Sequence, residues 1–317
     1  MTDKDVLVIA HRGASGYLPE HTLEAKALAY GMGANYLEQD VIATRDNELV
    51  VLHDIHLDRV TNVAEKYPDR KRGDGRFYVR DFDVAELKTL RVWERREEDG
   101  ITAVFPRRFP TGQGTFKIPT LREEIKLVQG LNRSTGRSVG IYVELKRPAW
   151  HRSEGVDISP LLLQLLDDFG YRTRDDLAYV QCFDLNEVRR IRHDLGTELK
   201  LVQLLGENDW GESDTDYDHL KTPAGLREIA AIADGVGPWI GHIIEIADID
   251  GRPVSTGFVS AAHDAGLTVH PYTFRADELA PGFDSLEEMI RWFVDELSID
   301  GLFTDFPDRA VKALRPD

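Results

Sequence analysis

Sulfur is nearly absent from this chain: one cysteine, Cys182, and three methionines stand in 317 residues. A single cysteine excludes an intrachain disulfide framework. Cys182 lies in the apolar run Tyr179-Val180-Gln181-Cys182-Phe183, where a small buried hydrophobe is the simpler reading than a catalytic thiol. Basic residues are in deficit too. Lys and Arg number 39 against 56 Asp and Glu, a formal charge of −17, so the basic footprint of a nucleic-acid binder is missing. That balance does not exclude an anionic substrate, because a bound cation reverses the field inside a cleft. No apolar run approaches the roughly 18 residues of a bilayer-spanning helix, and no membrane insertion is expected. The start, Met1-Thr2-Asp3-Lys4-Asp5, lacks the apolar stretch of a secretory leader. The expectation is a cytoplasmic protein, or a periplasmic or extracellular one if a leader has been removed.

What the chain does have is alternation. Strand-like runs occur at residues 6–10, 36–41, 139–145, 177–183, 199–205, 234–238, 267–272 and 301–305. Helical patterns follow at 22–33, 121–131, 159–169, 185–195, 223–233, 255–265, 285–297 and 307–314. Gly33, Gly170, Gly196 and Gly266 stand where helix ends favour a residue tolerant of positive φ. Strand–helix alternation indicates a parallel sheet, and eight strands are what a closed barrel needs. The expected fold is therefore α/β, a single TIM-type (β/α)₈ barrel over residues 1–317. Closure into a ring is the step the pattern supports least. Two segments break the rhythm. Asp46-Asn47-Glu48 reads as a tight turn extending the second strand into a hairpin. Residues 64–117 form a polar insertion too long for a plain loop. This is read as a small subdomain over one face of the barrel, with Phe77, Tyr78, Phe82, Leu87, Leu90 and Trp93 as its candidate core. It is expected to narrow the barrel mouth.

Side chains on a strand alternate between faces, so Glu38 and Asp40 share one face. The same alternation puts Tyr142, Glu144 and Lys146 inside the barrel and Ile141, Val143 and Leu145 against the helices. Three acids at one mouth repel unless a cation compensates them. Oxygen ligands favour a hard divalent ion, Ca²⁺ or Mg²⁺; pairing with Arg12 and Lys146 is the competing explanation. His11 and His53 each end a strand-like run, where barrel enzymes place their chemistry, and histidine suits proton transfer near neutral pH. The remaining histidines lack such surroundings. The loop Gly13-Ala14-Ser15-Gly16 leads toward a helix start, a weak anion-binding signal. Asp305 reads equally as a residue at the mouth or as a cap of the last helix.

The order His11-Arg12-Gly13-Ala14, Pro19-Glu20-His21-Thr22, Leu37-Glu38-Gln39-Asp40 and Val51-Leu52-His53-Asp54 resembles the signature of glycerophosphodiester phosphodiesterases. The likeness continues through Glu144-Leu145-Lys146, His270-Pro271-Tyr272-Thr273 and Leu302-Phe303-Thr304-Asp305, and so spans the chain. The insertion resembles the bacterial periplasmic branch, as does His21 where other members carry asparagine. The resemblance implies a metal-dependent hydrolase that releases sn-glycerol 3-phosphate from diesters such as glycerophosphocholine and glycerophosphoethanolamine. By position, His11 and His53 match the acid–base pair. Glu38, Asp40 and Glu144 match the metal ligands, with calcium the implied ion, and His21 is expected behind them. Arg12 and Lys146 match the phosphate contacts, and Phe183 and Tyr272 the pocket wall. The implied partner is a small glycerophosphodiester, and a homodimer is left open. Two other readings stand beside this one: a lysophospholipase D-like activity on longer lipids, and a non-catalytic binding barrel.

Overall fold

The computed structural model describes residues 6–247 and 251–315, so the polar start at residues 1–5 lies outside it. Eleven strands are described: β1 (Leu7–Ala10), β2 (Tyr36–Ala43), β3 (Leu49–Val51), β4 (Gly140–Leu145), β5 (Ala178–Cys182), β6 (Lys200–Leu205), β7 (Gly235–Pro238), β8 (Ile244–Ile246), β9 (Pro253–Ser255), β10 (Thr268–Val269) and β11 (Gly301–Thr304). Eight of these run parallel in the order β10-β7-β6-β5-β4-β2-β1-β11. The remaining seam is nearly closed by backbone bonds at and just past β10: Asp300 N to Val269 O (3.0 Å), Phe303 N to Pro271 O (3.0 Å) and Phe274 N to Phe303 O (2.8 Å). β10 is short because Pro271 has no N–H to give the ladder. The fold is the expected α/β barrel.

Capping residues set the helix starts. Thr22, Thr120, Asp184 and Ser285 accept from the first turns of the helices Leu23–Met32, Leu121–Thr135, Leu185–His193 and Leu286–Asp295. Gly33 closes the first of these at φ 100°. The helical pattern read over 255–265 begins late, at Phe258. Ser255 is taken instead by the antiparallel β8–β9 ribbon, opposite Ile244. The hairpin is where the turn signal put it, with Val41 opposite Val51 and Ala43 opposite Leu49.

Alternation along the strands separates two apolar layers. Ile141, Val143 and Leu145 join the large cluster between barrel and helices, as does Cys182. Tyr142 points inward with Ile9, Tyr36, Tyr179, Val202 and Phe303. Its ring stacks on Tyr179 at 4.6 Å and 11°, while Tyr36 and Phe303 meet it edge-on. The lower barrel is thus filled by an aromatic floor, and polar side chains one layer higher stand on a dry base.

A further buried cluster sits over the hairpin. Leu57, Val60, Phe77, Val79, Phe82, Leu87 and Leu90 pack together with Ile42, Val50 and Leu52 of β2, β3 and their continuation. Tyr78 packs on this cluster from a half-buried position, and Trp93 is buried. The segment's core is therefore shared with the barrel wall, and reaches back past residue 64 to Ile55.

Room for the aromatic floor depends on Gly140. A Cβ there would stand 2.2 Å from the Tyr36 ring and 2.7 Å from the Leu177 carbonyl oxygen. Gly140→Ala is expected to cost about 1–3 kcal/mol, the scale of overpacking in a filled core. Urea unfolding should show a lower midpoint at an unaltered slope; an unmoved midpoint would show that the floor yields.

Candidate active site

Barrel register brings the first histidine to its partner. β1 and β11 are parallel neighbours with Ala10 opposite Thr304, so the next residues, His11 and Asp305, leave the sheet side by side. His11 Nδ1 lies 2.6 Å from Asp305 Oδ1. Arg12 Nε donates to His11 Nε2 at 3.2 Å, which assigns the ring proton to Nδ1 and the lone pair to Nε2. Burial, reinforced by Arg12 and opposed by Asp305, lowers the His11 pKa to about 4. The capping role for Asp305 does not hold. Phe306 occupies the N-cap of the helix Pro307–Ala313 without a side-chain cap bond, and the Asp305 carboxylate is taken by His11, Arg108 (2.7 Å) and Arg275 (2.9 Å). Against its burial, Arg275, His11 and Arg108 hold it well below the usual carboxylate range.

His53 lies just beyond β3, where Leu52 N still bonds to Asp40 O. Its Nδ1 is 2.5 Å from Asp54 Oδ1. Burial and the nearby cations Arg12 and Lys146 lower its pKa. Behind it runs a chain of charge pairs: Asp54 accepts from Arg95 (2.5 Å), Arg95 donates to Glu20 (2.6 and 3.0 Å), and Glu20 accepts from Arg12 (3.0 Å). The two histidines are thus held alike, each by a carboxylate that is held in turn by an arginine of the insertion. Arg95 serves Asp54 and Arg108 serves Asp305.

The acids converge between them. Asp40 is opposite Glu144 in the β2–β4 ladder, and Glu38 opposite Tyr142. All three carboxylates are buried. Burial, compounded by Asp40 and Glu144, raises Glu38 well above its ordinary value. Glu144 is also raised by burial, although Lys146 Nζ sits 2.6 Å away. Asp40 goes the other way, held low by Lys146 and His21 against its burial. Arg12, at φ 59°, turns its backbone N–H onto Glu38 Oε2 at 2.5 Å. His21 Nε2 is 2.7 Å from Asp40 Oδ2, with Lys26 against its Nδ1 at 3.4 Å.

Donor atoms of His21, Glu38 and Asp40 lie within 4.8 Å of one another, and Asp40 Oδ1 is buried without a partner among the described residues. An orphaned carboxylate oxygen beside a second carboxylate raised by burial and by charge repulsion fits a divalent cation. Glu144 neighbours this group, but one of its oxygens is engaged by Lys146. A cavity of about 120 Å³ opens over the acids, lined by His11, Arg12, Glu38, His53 and Glu144 and walled by Phe183 and Tyr272. Lys146 Nζ stands 5.6 Å from the Phe183 ring centroid. Of the site residues read from the sequence, His11, Arg12, Glu38, His53, Glu144, Phe183 and Tyr272 line this cavity, while Asp40 and Lys146 stand beside Glu144 outside its lining. Arg95 and Arg108 have no signal in the sequence, since a charge in an irregular segment carries no periodicity. Asp54 was legible as the neighbour of His53.

A model of the glycerophosphoryl diester phosphodiesterase family matches residues 11–309. The chain belongs to that family. It is 43% identical to a Haemophilus influenzae glycerophosphodiester phosphodiesterase, over 98% of this chain and 90% of the relative. A Treponema pallidum glycerophosphodiester phosphodiesterase is 39% identical, over 97% and 91%. Among solved structures, the chain resembles a Silicibacter pomeroyi protein at a TM-score of 0.73 and 25% identity, over 98% and 94%. It shares its fold with an Oleispira antarctica phosphodiesterase in complex with the product sn-glycerol-3-phosphate, at a TM-score of 0.66 and 20% identity, over 97% and 96%.

Nuclear magnetic resonance of the imidazoles tests the family member's first histidine pair. His11 should stay neutral as pH falls through 6 and titrate near 4. Unfolded histidine takes its proton near 6.5, so this burial removes stability as pH drops through that window. Arg108→Met, by freeing negative charge on Asp305, should raise the His11 midpoint toward its ordinary value. A midpoint that stays in place would separate Arg108 from the pair.

Proposed function

We propose that this family member hydrolyses glycerophosphodiesters to an alcohol and sn-glycerol 3-phosphate by proton transfer between His11 and His53. The observation that carries this reading is the matched pair of half-buried histidines, each fixed by a carboxylate, flanking a cavity floored by carboxylates. Arg12 and Lys146 hold the non-bridging phosphate oxygens, the guanidinium with its planar fork and the ammonium as a point charge. Taking up phosphate draws Arg12 Nε away from His11 Nε2 and frees that lone pair. His11, neutral at working pH, accepts a proton from the attacking water as its oxygen bonds to phosphorus, and Asp305 stabilises the imidazolium formed. His53 must enter the step as the imidazolium, a form that Asp54 and the bound anionic phosphate favour against the burial that lowers its pKa, and it gives its Nε2 proton to the leaving alcohol oxygen as the bond to phosphorus breaks. Glu38, Asp40 and Glu144, with His21 orienting Asp40, would hold a divalent cation. Calcium suits the oxygen donors, and its charge would polarise the phosphoryl group. Phe183 and Tyr272 pack on the glycerol carbons.

Both catalytic histidines can be tested singly and together. Alanine at His11 or at His53 should lower kcat on glycerophosphocholine at least about 10²-fold. The double variant should lose little more, because groups working as one unit are non-additive. A His11→Ala enzyme with most of its activity would remove that residue from the mechanism.

Chelation tests the cation. Stripping divalent ions should abolish turnover and lower the thermal midpoint, since an ion bound only by the folded state stabilises it by mass action. Added Ca²⁺ should restore both. Full activity and an unmoved midpoint after exhaustive chelation would refute the ligand set.

A further inference from the structure

Three hollows adjoin the acid-lined cavity. One of about 180 Å³ reaches His53 alone of the two catalytic histidines, and one of about 540 Å³ beyond Tyr272 touches neither. The third, about 310 Å³, lies under the insertion and is lined by both His11 and His53, with Glu94, Val104 and Phe105 as its roof. His11 and His53 also line the barrel cavity. The histidine pair is therefore a boundary between two chambers. Proton-transfer groups flank the bond they break, so the two halves of a diester lie on either side of that boundary. With glycerol phosphate over the carboxylates, the alcohol half extends into the chamber under the insertion.

Glu94 is the uncommitted group of that chamber. It is 4% exposed, and its Oε2 is buried with no partner among the described residues. The other acids are engaged: Glu20 and Asp54 by Arg95, Asp305 by Arg108 and Arg275, and Glu278 by Arg275. Arg12 is held by Glu20, and Arg59 donates to the Arg96 carbonyl. Among the described residues lining this chamber, Glu94 is the one acid that no arginine engages. Burial, with Glu20 and Asp305 close by and Arg108 opposing, raises the Glu94 pKa to about 8. Near neutral pH its carboxyl is mainly protonated, with one donor and one acceptor, the complement of an alcohol hydroxyl.

We propose that the chamber under the insertion holds the departing alcohol, and that Glu94 hydrogen-bonds one of its hydroxyls, so that diesters of neutral polyols are favoured. This rests on the hydrolase reading above and adds the substrate class. The insertion is then a wall of the substrate site as well as a cover.

The ratio of kcat/KM for glycerophosphoglycerol to that for glycerophosphocholine tests it. Glu94→Leu should lower this ratio about tenfold or more, the scale of one lost buried hydrogen bond. Glu94→Gln, whose amide keeps a donor and an acceptor, should keep the ratio within about threefold of the original protein's. Between pH 7 and 9 the original protein's ratio should fall, because ionised Glu94 loses its donor and attracts the cationic alcohol. In Glu94→Gln it should stay flat, and this comparison decides the matter if the leucine variant fails to fold. A ratio unmoved by Glu94→Leu, or lost equally in Glu94→Gln, overturns the proposal while leaving the hydrolase reading intact. Cleavage of neither diester by the original protein overturns both.

Discussion

Three buried carboxylates at one barrel mouth set the terms for the structure around them. Glu38, Asp40 and Glu144 stand on neighbouring strands above the aromatic floor, where burial leaves little water to screen them. Every nearby cation responds. Lys146 binds Glu144, Arg12 turns its backbone onto Glu38, and Lys26, fully buried, bonds the Glu38 carbonyl and Glu124 at 2.8 Å. Asp40 still keeps an oxygen without a partner among the described residues. The residue types that balance these acids are the ones that suit a phosphate, so stability and the proposed substrate binding place the same demand here.

The insertion extends the same charge network. Arg95 ties Asp54 to Glu20, and Arg108 ties Asp305 to Asp277 at 2.8 and 3.0 Å. Glu20 and Asp277 are gripped through both oxygens, Asp54 and Asp305 through one each, and all are largely buried, unlike surface ion pairs that contribute little. Because the segment's apolar core includes Ile42, Val50 and Leu52, its position is fixed by packing on the second strand and its hairpin. Packing thus places the arginines, and the arginines place the carboxylates behind both histidines. Cutting out residues 66–116 would expose that shared core and leave Asp54 and Asp305 short of a partner.

Much of this was legible in the chain. Strand and helix periods marked the barrel elements, and the Asp46–Asn47 turn marked the hairpin, since both are local patterns with local causes. Period two alone put Glu38 with Asp40, and Glu144 with Lys146, on the inner face. His11 and His53 stood out because each ends an apolar run. The resemblance then supplied roles that residue types and spacing left undecided between catalysis and ordinary ion pairing.

Other features had no local trace. Asp305 meets His11 across 294 residues only because the ring closes and sets β1 against β11 in register. An alternating pattern allows an open sheet as readily as a barrel, so Asp305 read equally well as a helix cap. Arg108 reaches it across 197 residues from an irregular segment, where a charge carries no periodicity and its partner is set by packing elsewhere. The same holds for Glu94, whose raised pKa follows from burial and from the acids packed near it. The sequence by itself determined the elements, their inward faces and the types of group at the mouth, because these depend on neighbours along the chain. Tertiary structure decided which carboxylate holds which histidine and where the chambers lie, because those pairings depend on closure.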